Sequence, residues 1–245
     1  MTNKPIIDIR RKDDHFHTQA GWLDSRHAFS FGQHYDPSNT HHGLLLVSND
    51  DVIRAGTGFD THPHRDMEIV TWVLDGEIEH KDSQGNKGII YPGLAQRMSA
   101  GTGIWHSEMN ANAKKDVHLV QMWVTPDTDS VNPSYEQLDI NPQLAKGGLV
   151  PIASGKNHNA AIKIRQKDAV LWGARLKAGE STQVPDAPYV HVYVAKGSVL
   201  LQDAGTLHAG DAVRLSGAGH PRLTADDNSA AEVLIWEMSN ELVYS

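Results

Sequence analysis

The chain of 245 residues carries 22 Lys and Arg against 30 Asp and Glu, giving a formal net charge of −8 and a pI near 6.0, and it has no cysteine. The absence of thiols excludes disulfides, thiolate metal ligands and a cysteine nucleophile. The acidic balance, without a basic run, offers no footprint for a phosphate backbone, so no direct nucleic-acid contact is expected. At this length, with 39% hydrophobic residues, one large β domain or two of about 120 residues can be filled. The start, Met1-Thr2-Asn3-Lys4-Pro5, lacks the apolar core of a signal peptide. No apolar run approaches the ~18 residues of a membrane span. A soluble, cytoplasmic protein without membrane contact is the expectation.

Residues 1–20 are polar, and His15-Phe16-His17 reads as a solvated edge strand. In 21–55, Trp22, Phe29, Phe31 and Tyr35 are expected to pack over a barrel, with His27 and His34 as structural histidines near its mouth. His41-His42-Gly43 turns the chain before the apolar run 44–48, and Asn49-Asp50-Asp51 reads as a turn.

The stretch from Gly56 to Asn110 holds the chemistry. His62 and His64 stand two residues apart, as do His106 and Glu108. On a strand, such pairs project from one face. Glu68 shares the parity of His62 and His64 if the strand runs on unbroken. A closed sheet turning both pairs inward brings three imidazoles and a carboxylate into one pocket, a donor set suited to Zn, Cu, Fe, Ni, Mn or Co. Four protein ligands leave positions open on an octahedral ion, the mark of a catalytic or sensing site. Between the pairs, the β-rich run 68–74 stops at the hairpin signal Asp75-Gly76. Glu77-Ile78-Glu79-His80-Lys81-Asp82 then alternates as a strand with one wet face. In the strand 118–124, parity separates His118 from Gln121 and Trp123, and core packing is expected of Met122 and Trp123.

Pro126, Pro133, Pro142 and Gly147-Gly148 mark a linker, with a helical turn expected at 133–137. Beyond it, Val192 to Val199 mirrors Thr71 to Ile78, and Ala209 to Ser216 mirrors Pro92 to Ser99, an internal repeat that predicts two similar barrels. Superposing the repeats puts Gln183, Pro185 and Tyr189 at His62, His64 and Glu68, and Leu223 and Ala225 at His106 and Glu108. His158, His191, His208 and His220 are scattered. The expected division is a metal-binding domain 1–130, a linker 131–148 and a degenerate, metal-free domain 149–245.

Gly56, His62, His64, Glu68 and Gly76, followed by Pro92-Gly93, Gly103, His106 and Asn110, resemble the two cupin motifs. The finer wording, His62-Pro63-His64-Arg65-Asp66-Met67-Glu68 and Met98 through Glu108, resembles the pirin family, most of all its bacterial quercetin 2,3-dioxygenases. Gly21 to Phe31 and Tyr35-Asp36-Pro37 match the amino-terminal signature of that group, and the likeness is strong over residues 18–140. The resemblance implies an all-β bicupin, two jelly-roll barrels packed together. It implies His62, His64, His106 and Glu108 as ligands of one divalent metal ion, iron first, with Mn, Co, Ni, Cu or Zn fitting the same donors. Glu68 becomes a residue that orients a ligand.

The resemblance further implies cleavage of the heterocyclic ring of quercetin or a related flavonol by O2 with release of carbon monoxide, Glu108 being the catalytic base. The alternative within the family is a non-enzymatic, metal-bound regulator acting through a protein partner. A monomer is expected, since two fused barrels bury each other's faces.

Overall fold

The computed structural model describes residues 4–243. The first half runs through β1 (Ile6–Arg10), β2 (Phe16–Gln19), β3 (Leu23–His27), β4 (Leu45–Ile53), β5 (Gly58–His64), β6 (Glu68–Asp75), β7 (Ile78–Asp82), β8 (Lys87–Ile90), β9 (Leu94–Ser99), β10 (Ile104–Met109), β11 (Val117–Val124) and β12 (Ser134–Asp139). A short helix α1 (Asn141–Leu144) leads to β13 (Val150–Ser154), β14 (Ile162–Lys163), β15 (Ala169–Leu176), β16 (Ser181–Gln183), β17 (Tyr189–Lys196), β18 (Ser198–Leu201), β19 (Gly205–His208), β20 (Ala212–Ser216), β21 (Arg222–Ala225) and β22 (Ala231–Met238).

The strands form two cupin domains, each a seven-stranded sheet facing a four-stranded one. In the first, the order is β12-β9-β6-β11-β4-β3-β2 against β5-β10-β7-β8; in the second, β1-β20-β17-β22-β15-β13-β14 against β16-β21-β18-β19. The repeat seen in the sequence is thus a repeat of topology. The expected boundary at the start of the chain differs, because β1 pairs antiparallel with β20 of the second domain. It takes there the edge place that β12 takes beside β9. The expected linker likewise holds a strand rather than a helical turn at 133–137, since Ser134–Asp139 pairs along all of Leu94–Ser99. β9 is buried at every residue, and its outer backbone groups need partners. A polar, half-exposed strand supplies them and covers the edge.

Parity explains the burial of β6 on both faces. Val70, Trp72 and Leu74 join Val120, Met122 and Val124 of β11 in one apolar cluster with Leu171, Tyr193, Leu234 and Trp236 of the second domain. The residues between them, Ile69, Thr71 and Val73, turn into the first domain. The large sheets therefore pack back to back, and each fully buried aliphatic side chain there contributes about 1.5–3 kcal/mol. Two indoles end on polar partners in this interface: Trp72 Nε1 donates to Glu232 Oε1 at 2.7 Å, and Trp236 Nε1 to Met122 Sδ at 3.2 Å.

Phe16–Gln19 is an edge strand, as expected, with His17 and Gln19 exposed, but His15 is buried. Among the described residues no helix is long and apolar enough to cross a membrane.

Candidate metal centre

β5 and β10 are antiparallel neighbours in the four-stranded sheet, with His62 opposite His106. The strand geometry brings the ring centroids of His62 and His106 to 4.4 Å, and that of His64 to 4.9 Å from each of them. One ring nitrogen from each of the three lies within 4.8 Å of the others. His62 Nδ1 donates to the Asp60 carbonyl at 2.7 Å, which leaves Nε2 bare. The Nε2 atoms of His64 and His106 are buried without a protein partner. Buried polar atoms are almost always satisfied, so a cluster of bare imidazole nitrogens fits a cation.

Burial and the neighbouring imidazoles lower the pKa of His64 to about 4 and that of His106 to about 3. Both rings stay neutral, with lone pairs free, across the physiological range.

Glu108, two residues after His106, projects into the same space because its strand faces inward at both positions. Its orientation is fixed by a chain of donors. Trp123 Nε1 can only donate, and it donates to Gln121 Oε1 at 3.0 Å; the Gln121 amide therefore turns its NH2 to Glu108 Oε2 at 2.7 Å. Thr71 Oγ1 donates to Glu108 Oε1 at 3.3 Å.

His62, His64, Glu108 and Gln121 border a cavity of about 260 Å³ between the two sheets, walled by Leu23, Phe31, Phe59 and Trp123. The volume lies near the lower end of small-molecule sites. A larger depression of about 580 Å³ beside Leu144, Arg175 and Lys196 is open to solvent and contains none of this chemistry.

Glu68 stands apart. The strand breaks after His64, where Asp66 takes φ 44°, and Glu68 opens β6 in the other sheet. Its carboxylate accepts from Ser99 Oγ at 2.9 Å and from the Arg165 amide at 3.0 Å, a tie to the second domain. Trp123 packs, as expected, against the buried cluster of Ile69, Met98 and Ile104, and it is also a cavity wall, in T-shaped contact with His64 at 4.8 Å. In the second domain, Leu223 and Ala225 are buried apolar residues.

Two features of the site lie beyond what the sequence alone predicts. Asn49 and Asp51 belong to the strand β4, not to a turn, and with Ser25 and His27 they line the cavity. They complete a polar row across the large sheet, His27, Asn49, Gln121, Thr71 and Gln96, each opposite the next. The signal available was period 2: Val47, Asn49, Asp51 and Ile53 alternate with Ser48, Asp50 and Val52 as a strand does. The second feature is His80, buried beside His106 and grouped at metal-ligand spacing with His106 and Glu108. Its parity with Ile78 was the available sign that it faces inward.

A two-domain cupin with a histidine-carboxylate pocket in the first domain is the class that fold and site define. The pirin profile matches residues 9–124, and the quercetinase C-terminal cupin domain matches residues 151–238. A Mycobacterium tuberculosis protein named "Putative quercetin 2,3-dioxygenase" is 56% identical over 237 residues, 96% of each chain. The Escherichia coli quercetin 2,3-dioxygenase is 42% identical over 197 residues, 80% of this chain and 84% of that one. The crystal structure of the bacterial pirin YhhW from Escherichia coli in complex with nickel(II) superposes with a TM-score of 0.87 at 36% identity, covering 97% of this chain and 100% of that one. This chain belongs to the pirin family.

Proposed function

We propose that the protein is a metal-dependent dioxygenase that opens the heterocyclic ring of quercetin or a related flavonol with O2, giving the depside and carbon monoxide. The observation that carries this reading is the set of three imidazoles converging beside a buried carboxylate at a cavity with aromatic walls. We assign one divalent ion to His62, His64 and His106 through Nε2 and to Glu108, with iron as the expected metal; nickel(II), found in the Escherichia coli relative, suits the same donors. When bound, such an ion supplies Lewis acidity toward the flavonol 3-hydroxyl and electron exchange with O2.

The chain's own residues do the rest. Phe31, Phe59 and Trp123 offer flat apolar walls to a planar polyphenol. Ser25, His27, Asn49 and Asp51 give that cavity hydrogen-bonding groups for phenolic hydroxyls. Glu108 takes the proton of the 3-hydroxyl on a lone pair left free by Gln121 and Thr71. The buried walls exclude water from the activated ring. The second domain supports the large sheet by packing, without a metal of its own.

Elemental analysis of the purified protein, paired with an aerobic quercetin assay on the same sample, tests this. About one metal per chain with loss of the flavonol absorbance band is expected. One metal per chain with no turnover after reloading with Fe(II), Mn(II), Co(II), Ni(II) or Cu(II) would overturn it in favour of a regulator or another substrate.

A further inference from the structure

We propose that His80, anchored by Asp82, is a positioning residue for the metal centre: it accepts from His106 Nδ1–H and so fixes the tautomer in which His106 Nε2 faces the ion. This role rests on the assignment of His62, His64, His106 and Glu108 as ligands.

The Asp82 side chain is fully buried and is surrounded by donors. Its oxygens accept from the amides of Gln84 at 2.9 Å and Asn86 at 3.0 Å, and from Asn86 Nδ2 at 3.2 and 2.9 Å. An ionised carboxylate can only accept, so His80 Nε2, at 3.2 Å from Asp82 Oδ2, carries the proton. In the tautomer with its hydrogen on Nε2, the His80 ring carries a lone pair on Nδ1. The atom facing that lone pair is His106 Nδ1, at 3.4 Å. It must therefore be N–H, and His106 Nε2 is left as the bare nitrogen, the atom found buried without a partner. At 3.4 Å the contact is a long hydrogen bond; positive charge on Nε2 makes Nδ1–H a better donor and strengthens it. The Asp60 carbonyl does the same for His62, so two of the three imidazoles are set by a partner on Nδ1.

The backbone holds this chain of groups in register: β7 lies beside β10 with Asp82 opposite His106 and His80 opposite Glu108. Tyr135 lies against the His80 ring, centroids 4.8 Å apart and planes 31° apart, so the ring cannot turn freely. His80 could instead be a ligand itself, in the grouping with His106 and Glu108. That arrangement uses His106 Nδ1 and leaves the Nε2 atoms of both His64 and His106 buried and bare; the positioning role uses both.

The test compares wild type with His80→Leu, His80→Asn and Asp82→Asn. Ni(II) and Co(II) affinity is measured by chelator competition, the ligand field by the Co(II) absorption spectrum, and folding by melting of the metal-free protein. Asn places an amide oxygen near the Nδ1 position, so it keeps the acceptor. His80→Leu is expected to weaken binding about 10–100-fold at unchanged stoichiometry, with a shifted Co(II) spectrum. His80→Asn should regain most of the affinity and the wild-type spectrum. Asp82→Asn, which frees the His80 tautomer, should weaken binding in the same direction. Should His80→Leu fail to fold, the other two variants decide the matter.

Affinity unchanged in His80→Leu, or in Asp82→Asn where His80→Leu does not fold, would reduce His80 to packing. Loss of one imidazole from the X-ray absorption ligand count in His80→Asn would make it a ligand. Either outcome overturns the proposal while leaving a metal centre in place. A wild-type protein that binds no Ni(II) or Co(II) would instead fell the ligand assignment itself.

Discussion

Asp51 shows what a single side chain costs when a cavity needs polar groups. It is buried, accepts from the Ser25 hydroxyl, and has Asp50, Glu108 and His118 as its charged neighbours. Burial first, then the two carboxylates, push its pKa from 3.8 to about 7. The folded state thus holds a proton that the unfolded chain releases near pH 4. Between those values the native protein binds more protons, so this group's contribution to stability falls as pH rises, by on the order of 1.4 kcal/mol for each pH unit crossed. Asp51→Asn keeps an acceptor for Ser25 and removes the titration. The melting temperature of the metal-free variant relative to wild type should therefore climb from pH 5 to pH 8. A flat difference would show that Asp51 titrates normally. At the same scale, spacing alone put His62, His64, His106 and Glu108 forward as candidates, because the i, i+2 rule needs only strand geometry. Asp51 and His80 share strand parity with the apolar Ile53 and Ile78, but clustered Asn and Asp read as a turn, and no paired ligand spacing singled out His80.

At the scale of elements, β5 and β10 must lie close for the two histidine pairs to meet. Gly58 opens β5 opposite Met109. A Cβ there would stand 2.2 Å from the Glu108 carbonyl oxygen and 2.7 Å from Met109 Cα. Both are backbone atoms that cannot swing aside. Gly58→Ala should force the strands apart at the end that carries Glu108, costing about 1–3 kcal/mol by overpacking and lowering metal stoichiometry. Denaturant melts and elemental analysis of the variant check both, and an unchanged melt with full metal content would show that β5 tolerates the shift. The sequence marked β5, β6 and β10 by their motifs and their apolar runs. It misplaced Ser134–Asp139 and Asn49-Asp50-Asp51, since Pro133 and clustered Asn and Asp are turn signals. Pairing with β9 and β11 outweighed those local preferences.

For the whole molecule, one apolar cluster joins the large sheets of the two repeats, and they are expected to unfold as one unit. Trp72 is fully buried there and reaches Glu232, which also holds Arg175 Nε at 3.0 Å. Trp72→Ala should destabilise by about 3–5 kcal/mol and keep a single unfolding transition; two separated transitions in calorimetry would show domains that melt independently. The sequence by itself determined the all-β class, the internal repeat, the pirin likeness and the four candidate ligands, because strand period, Gly-marked turns and residue chemistry are local or one-dimensional properties. Only the tertiary structure decided that β1 completes the second domain, that Glu68 bonds to Ser99 and to Arg165 of the second domain, and that His80 and a polar row from His27 to Gln96 lie about the three converging histidines. Those facts depend on which strands become neighbours, and that choice is made by burying apolar faces and satisfying backbone hydrogen bonds across more than a hundred residues of chain, as in the pairing of Ile6 with Ser216.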